Sequence, residues 1–254
     1  MTAHRIDRRN VLTLLGGAIA AVTLLGCGAT GGRLPDYRYR LTVEVDTPEG
    51  LKTGSSVIEV KTAVAGRNSI PTPGVISRRA HGEAVTVDLG ERGILFALLR
   101  SEDSSDWASG VMYGFAPDVP QPHDENGEFD SSAYFKARFM AMLKKRKLIV
   151  LPERFPGSRY IEGGHARPML VRFRDIADPQ TIEKVDSADL AAAFGSGVKL
   201  KRITVQLTDD PVTAGIEKRL TWLPGVYQTV DRTHFQPEGI PVGDFQHLFS
   251  TKEF

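Results

Sequence analysis

From Tyr37 to Asp46 the chain alternates without a break: Tyr37, Tyr39, Leu41, Val43 and Val45 stand between Arg38, Arg40, Thr42, Glu44 and Asp46. A period of two turns one row toward a core and the other toward water, the pattern of a half-buried β-strand. Thr47-Pro48-Glu49-Gly50 supplies a turn, because Pro fixes φ and Gly tolerates positive φ. A second strand follows within Ser55 to Val64, with Ser56, Ile58, Val60 and Val64 on one face, so the pair reads as an antiparallel hairpin. Alternation returns at Val85, Val87 and Leu89, and the turn Gly90-Glu91-Arg92-Gly93 leads into Ile94 to Leu99, an unbroken apolar run suited to a fully buried strand. A curled antiparallel sheet or a sandwich is the natural way to bury such faces.

The rest is more mixed. Ala65 to Gly82, with Pro71 and Pro73, reads as a loop. Asp130 or Ser131 is placed to cap a helix carrying Tyr134, Phe135, Phe139 and Met142, which should end within Lys144-Lys145-Arg146-Lys147. Short strands are expected at Leu148 to Leu151 and Leu170 to Phe173, and a longer one at Val198 to Leu207 with a bulge near Arg202, where the apolar phase switches. Asp186 or Ser187 should cap a helix over Ala188 to Phe194 that Gly195 ends, and Thr213 another through Leu220. Tyr227, Phe235, Phe245 and Phe249, scattered through a Pro- and Gly-containing tail, should pack across the fold. No repeat or linker is evident, so residues 37–254 are read as a single α+β domain, strand-rich in its first half, with a few short helices in its second.

Composition bounds the function. With 32 Lys or Arg against 31 Asp or Glu, the net charge is +1, which argues against a nucleic-acid partner, whose phosphates call for a cationic excess. Hydrophobic residues at 41% and charged residues at 25% are ordinary for a globular body.

The amino terminus has a different character. A basic stretch, Met1 to Asn10, runs into the uncharged segment Val11 to Leu25, which ends at Leu24-Leu25-Gly26-Cys27 and is shorter than the roughly 20 residues of a membrane-spanning helix. The quartet resembles the lipobox of bacterial lipoproteins, with an apolar residue three before the only cysteine in the chain and a small one just before it. The resemblance implies that residues 1–26 are a signal peptide, that Cys27 becomes the first mature residue with its thiol linked to diacylglycerol, and that the new amino group is acylated by a palmitate-like chain. Residues 27–36, small and Gly-rich, would then form a tether to a membrane partner at the cell envelope, periplasm-facing or on the outer membrane. Arg8-Arg9-Asn10-Val11-Leu12 also resembles the twin-arginine export motif, with Arg8, Arg9 and Leu12 matching and Asp7, Val11 and Thr13 departing from it; a general secretory signal is the other reading.

No motif for catalysis stands out. Gly54-Ser55-Ser56 and Gly195-Ser196-Gly197 do not fit the nucleophile elbow, and the glycines are read as serving a hairpin and a helix end. His123 to Asp130 is dense in oxygen ligands but lacks calcium-loop spacing, so it is read first as a solvated acidic loop and second as a metal site. Lys144 to Lys147 complements a helix dipole and, in a tethered protein, is also placed to touch anionic lipid. Tyr160 to His165 reads as a tight turn or a ligand loop. No phosphate loop or dinucleotide fingerprint occurs, and no cofactor is expected. The expectation is a lipid-anchored envelope protein that binds an envelope partner or ligand. The alternative is an exported hydrolase assembled from distant residues such as His81, His165 and His234 with Asp or Glu.

Overall fold

The computed structural model describes residues 34–65, 76–156, 163–230 and 234–252. The signal segment, Arg8, Arg9 and Cys27 lie outside the described residues. The strands are β1 (Tyr37–Thr47), β2 (Gly50–Val64), β3 (Ile76–His81), β4 (Val85–Asp88), β5 (Ile94–Ala97), β6 (Ile149–Val150), β7 (Leu170–Phe173), β8 (Ile182–Val185) and β9 (Lys199–Thr208). The α-helices are α1 (Trp107–Gly114), α2 (Ser131–Leu143), α3 (Leu190–Phe194), α4 (Val226–Thr229) and α5 (Phe245–Phe249). The fold is α+β, built on two antiparallel sheets of order β3-β2-β1-β9-β6 and β4-β5-β7-β8.

The alternation at Tyr37 works as expected. Tyr39, Leu41, Val43 and Val45 are fully buried, and β1 pairs with β2 from Tyr37 opposite Val60 to Thr47 opposite Gly50, whose φ is +111°. On its other side β1 pairs with β9, where Glu44 faces Arg202 and Val45 faces Leu200, so Lys201 is the extra residue of the bulge. The run Ile94 to Leu99 is apolar on both faces because the second sheet is covered on both. Leu95 and Ala97 join Val85, Val87 and the inner row of the first sheet in one core. Phe96 and Leu98 join Val171, Phe173 and the tail residues Phe235, Phe245 and Phe249 in the other. Phe96 meets Phe173 and Phe249 edge-on, with ring centroids 5.6 and 5.8 Å apart, and Trp222 stacks on Phe245 at 6.0 Å.

Several expectations need correction. The end of the presumed loop Ala65 to Gly82 is β3, an edge strand whose Ser77, Arg78, Arg79 and His81 are polar on both faces, which hides any apolar phase. Helix α1 was not expected; its sequence, Trp-Ala-Ser-Gly-Val-Met-Tyr-Gly, holds two glycines, and the side chain of Asp106 ahead of it makes no capping bond. Packing holds it instead, through buried Trp107, Val111 and Met112 and through the hydroxyl of Tyr39, which donates to Ala108 O at 2.7 Å. Asp130 does cap α2 by accepting from Ala133 N–H, whereas α3 starts later than expected, at Leu190 behind Asp189. Thr213 caps no helix; its hydroxyl accepts from Val57 N–H, which continues the edge of β2 beyond His81. Gly54 serves the approach of the two sheets rather than the hairpin, since a Cβ there would lie 2.1 Å from Thr86 O.

Candidate ligand groove

Two adjoining cavities, of about 540 and 570 Å³, share Arg78, Asp106 and Ser109 and form a groove between β3, α1 and the loop before α1. One end is polar, with Arg79, Arg100, Asp244 and His247. The other is mixed, with Trp107, Val111, Tyr113 and Phe155 beside Asp103 and His165. Gly114 shapes that end, because a Cβ would fall 2.3 Å from the Phe155 ring.

Its charges are arranged unevenly. The Arg78 guanidinium lies 4.7 Å from the centroid of Tyr113, and the guanidinium of buried Arg138 lies 5.1 Å from the same centroid. Burial raises the pKa of Tyr113 against the pull of those two cations, so the phenol stays neutral. Neither Arg78 nor Arg79 has an ion-pair partner among the described residues. Arg100 donates to Ser101 O at 3.0 Å, a contact that leaves its charge without a counter-ion. Free guanidinium groups beside a cavity suit carboxylate or phosphate oxygens, which they grip through paired N–H donors.

Asp103 is the organised anion of the groove. It accepts from the Ser101 hydroxyl at 2.7 Å and from His165 N–H at 2.9 Å, and its Oδ2 lies 3.2 Å from His165 Nδ1 without the alignment of a full hydrogen bond. Burial pushes its carboxyl up, but these contacts together outweigh it and hold the pKa at about 2.

The three histidines do not meet within any of the cavities described. His165 lines the groove, His81 stands opposite Glu59 at the end of β3, and His234 lines a separate cavity with Arg174, Glu183 and Lys184. In the acidic loop, Asp124 Oδ1 accepts from the N–H groups of Asn126 and Glu128, and Asp130 caps α2, so two of its carboxylates already hold backbone. Among the described residues no group of three His, Cys, Asp or Glu is placed to hold a metal ion. Ser56 is buried, and its hydroxyl donates to Glu83 O. Of the loop Tyr160 to His165, residues 160–162 lie outside the described residues, while Gly164 and His165 do line the groove. Sequence reasoning missed Arg78, Arg79, Asp103 and Tyr113; the adjacent arginines were the one local signal, and they fell in a stretch read as loop.

Among the described residues no helix is long and apolar enough to cross a membrane. Comparison of the chain with protein-family models, curated proteins and solved structures finds no match in any of the three.

Proposed function

We propose that this chain is a lipid-anchored cell-envelope protein whose domain binds a partner or ligand bearing carboxylate or phosphate groups in the groove between β3 and α1. The observation that carries the reading is the pair of arginines, Arg78 and Arg79, beside a cavity with no carboxylate paired to either. Lipidation at Cys27 rests on the Leu-Leu-Gly-Cys quartet. Thermal denaturation of the purified protein against inorganic phosphate, citrate and an acidic peptide tests the binding part. A saturable rise in Tm that Arg78→Ala or Arg79→Ala removes is expected; equal behaviour of wild type and variants across all three probes overturns it.

A second reading, an exported hydrolase, is favoured only by His165, whose Nδ1 stands 3.2 Å from Asp103 Oδ2, near the place of a carboxylate that orients a general base. Hydrolysis of model esters or amides that His165→Ala abolishes in a folded protein would establish it in place of the first.

A further inference from the structure

Resting on the anchoring reading, we propose that the turn after α2 seats the domain on an anionic lipid surface through Lys144, Lys145 and Lys147. Leu34 is buried, its carbonyl accepts from the Thr62 hydroxyl, and Asp36 accepts from Thr62 N–H, so the chain from Leu34 to Asp36 is tied to β2 by hydrogen bonds. Only six residues then lie between Cys27 and Leu34, so seven residue steps make a leash of at most about 25 Å.

Strand register sets the same end of the sheet against the turn. Arg38, next to the first residue of β1, faces Thr208 at the end of β9. Asp209 follows, and Arg146 pairs with it at 2.7 Å, while Gln206 Nε2 donates to Arg146 O. The turn therefore lies beside the β1 start, two strand spacings across the sheet from β1, or about 10 Å. A bilayer holding an acyl chain on Cys27 is within reach of these lysines.

The chemistry of the patch fits that surface. Lys144, Lys145 and Lys147 are exposed and have no ion-pair partner among the described residues. Four acids at this end are engaged: Asp209 with Arg146, Asp210 with Arg40, Glu59 with Arg38, and Asp36 with Thr62 N–H. Large apolar side chains sit among the lysines, with Leu148 49%, Val150 53% and Met140 38% exposed, and Met140 is one turn before Lys144 on α2. Cations with short apolar neighbours match the headgroup zone of an anionic bilayer, where each lysine strengthens the contact by about fivefold.

The test uses the full lipidated protein in vesicles of phosphatidylcholine, with or without phosphatidylglycerol. A fluorophore on Leu148→Cys reports its distance from the surface through quenching by headgroup-nitroxide lipids, and mass spectrometry reports acylation of Cys27. Severalfold stronger quenching with phosphatidylglycerol is expected, falling at high salt and in a Lys144→Gln, Lys145→Gln, Lys147→Gln variant that melts as a folded protein. An acylated protein whose label ignores phosphatidylglycerol or the lysine changes overturns the seating and leaves the anchor standing. A protein without acyl mass on Cys27 overturns both. A glutamate version of the triple variant repeats the test with a larger charge change, and quenching as strong as wild type there also overturns the seating.

Discussion

His165 meets Asp103 twice: its backbone N–H donates to Asp103 Oδ2 at 2.9 Å, and its Nδ1 stands 3.2 Å from the same oxygen. Together with the Ser101 hydroxyl this ties the loop before α1 to the loop that carries His165, and so fixes one wall of the groove. The contacts favour the ionised carboxyl and hold its pKa at about 2, below its ordinary value, despite the opposing effect of burial. The stabilisation is thus present above the ordinary aspartate pKa of about 4 and is lost as the pH falls through the folded value. Melting curves across the acid range should fall more steeply for the wild type than for Asp103→Asn. Parallel slopes would mean that the loop is held by something other than this carboxylate.

Glu83 gives the opposite slope. It is 4% exposed, and its carboxylate accepts from Gly215 N–H at 3.0 Å and Ile216 N–H at 2.9 Å. Burial, partly offset by those two bonds, raises its pKa above the ordinary glutamate value. Its contribution is therefore fully present below that ordinary value and is lost as the pH rises through the folded one. Denaturant titrations between mildly acid and neutral pH should show stability falling with pH in the wild type and staying flatter in Glu83→Gln. Glu83→Ala leaves two N–H groups without an acceptor and should cost about 2 kcal/mol at acid pH, read as a lower denaturation midpoint.

Where the first sheet has one wet face, the sequence was legible, because the period of two from Tyr37 to Asp46 records that asymmetry directly. The same asymmetry at the β9 bulge, where the apolar row changes phase near Arg202, placed an irregularity that the register bears out at Lys201. Legibility failed where burial is decided by distant parts of the chain. Helix α1 owes its existence to Tyr39, Trp107 and Ala166 rather than to its own propensity, with Trp107 Nε1 donating to Ala166 O across 59 residues of chain. The groove was hidden for the same reason: Arg78, Tyr113 and His165 come from a strand, a helix and a loop that no local pattern links.

Two glycines should respond in opposite directions to the same methyl group. At Gly54 an added Cβ would lie 2.1 Å from Thr86 O, a backbone atom of the facing sheet, so Gly54→Ala must push the sheets apart and should destabilise by about 2 kcal/mol. At Gly110, inside α1, an added Cβ meets nothing within 4 Å, so Gly110→Ala should stabilise by about 0.5–1 kcal/mol through helix propensity. Equilibrium unfolding of both variants settles the pair. A neutral Gly54→Ala would show that the sheets can part at this point without cost.

Arg138 is 1% exposed, an unusual depth for a guanidinium. It donates from Nη2 to Ala116 O at 2.9 Å and from Nε to Pro117 O at 3.4 Å, just past the end of α1, and its nearest carboxylate oxygen, on exposed Asp118, is 4.0 Å away. Nη1 has no partner, and the charge is shared instead with the Tyr113 and Tyr134 rings, whose centroids lie 5.1 and 5.9 Å away. The residue therefore acts as a staple between α2 and the chain leaving α1, with its cation–π contacts offsetting part of the cost of burying a charge. Arg138→Lys keeps the charge but lacks the planar fork that reaches two carbonyls, and Arg138→Ala opens a cavity and strands both acceptors. Both should destabilise, Arg138→Ala by about 3 kcal/mol and Arg138→Lys by somewhat less. Because Tyr113 lines the groove, the same variants should weaken any anion-dependent rise in Tm by altering the ring on which Arg78 rests. Denaturation midpoints with and without phosphate separate the two effects: equal losses in both would make Arg138 a purely structural staple, and a larger loss with phosphate would tie it to the groove.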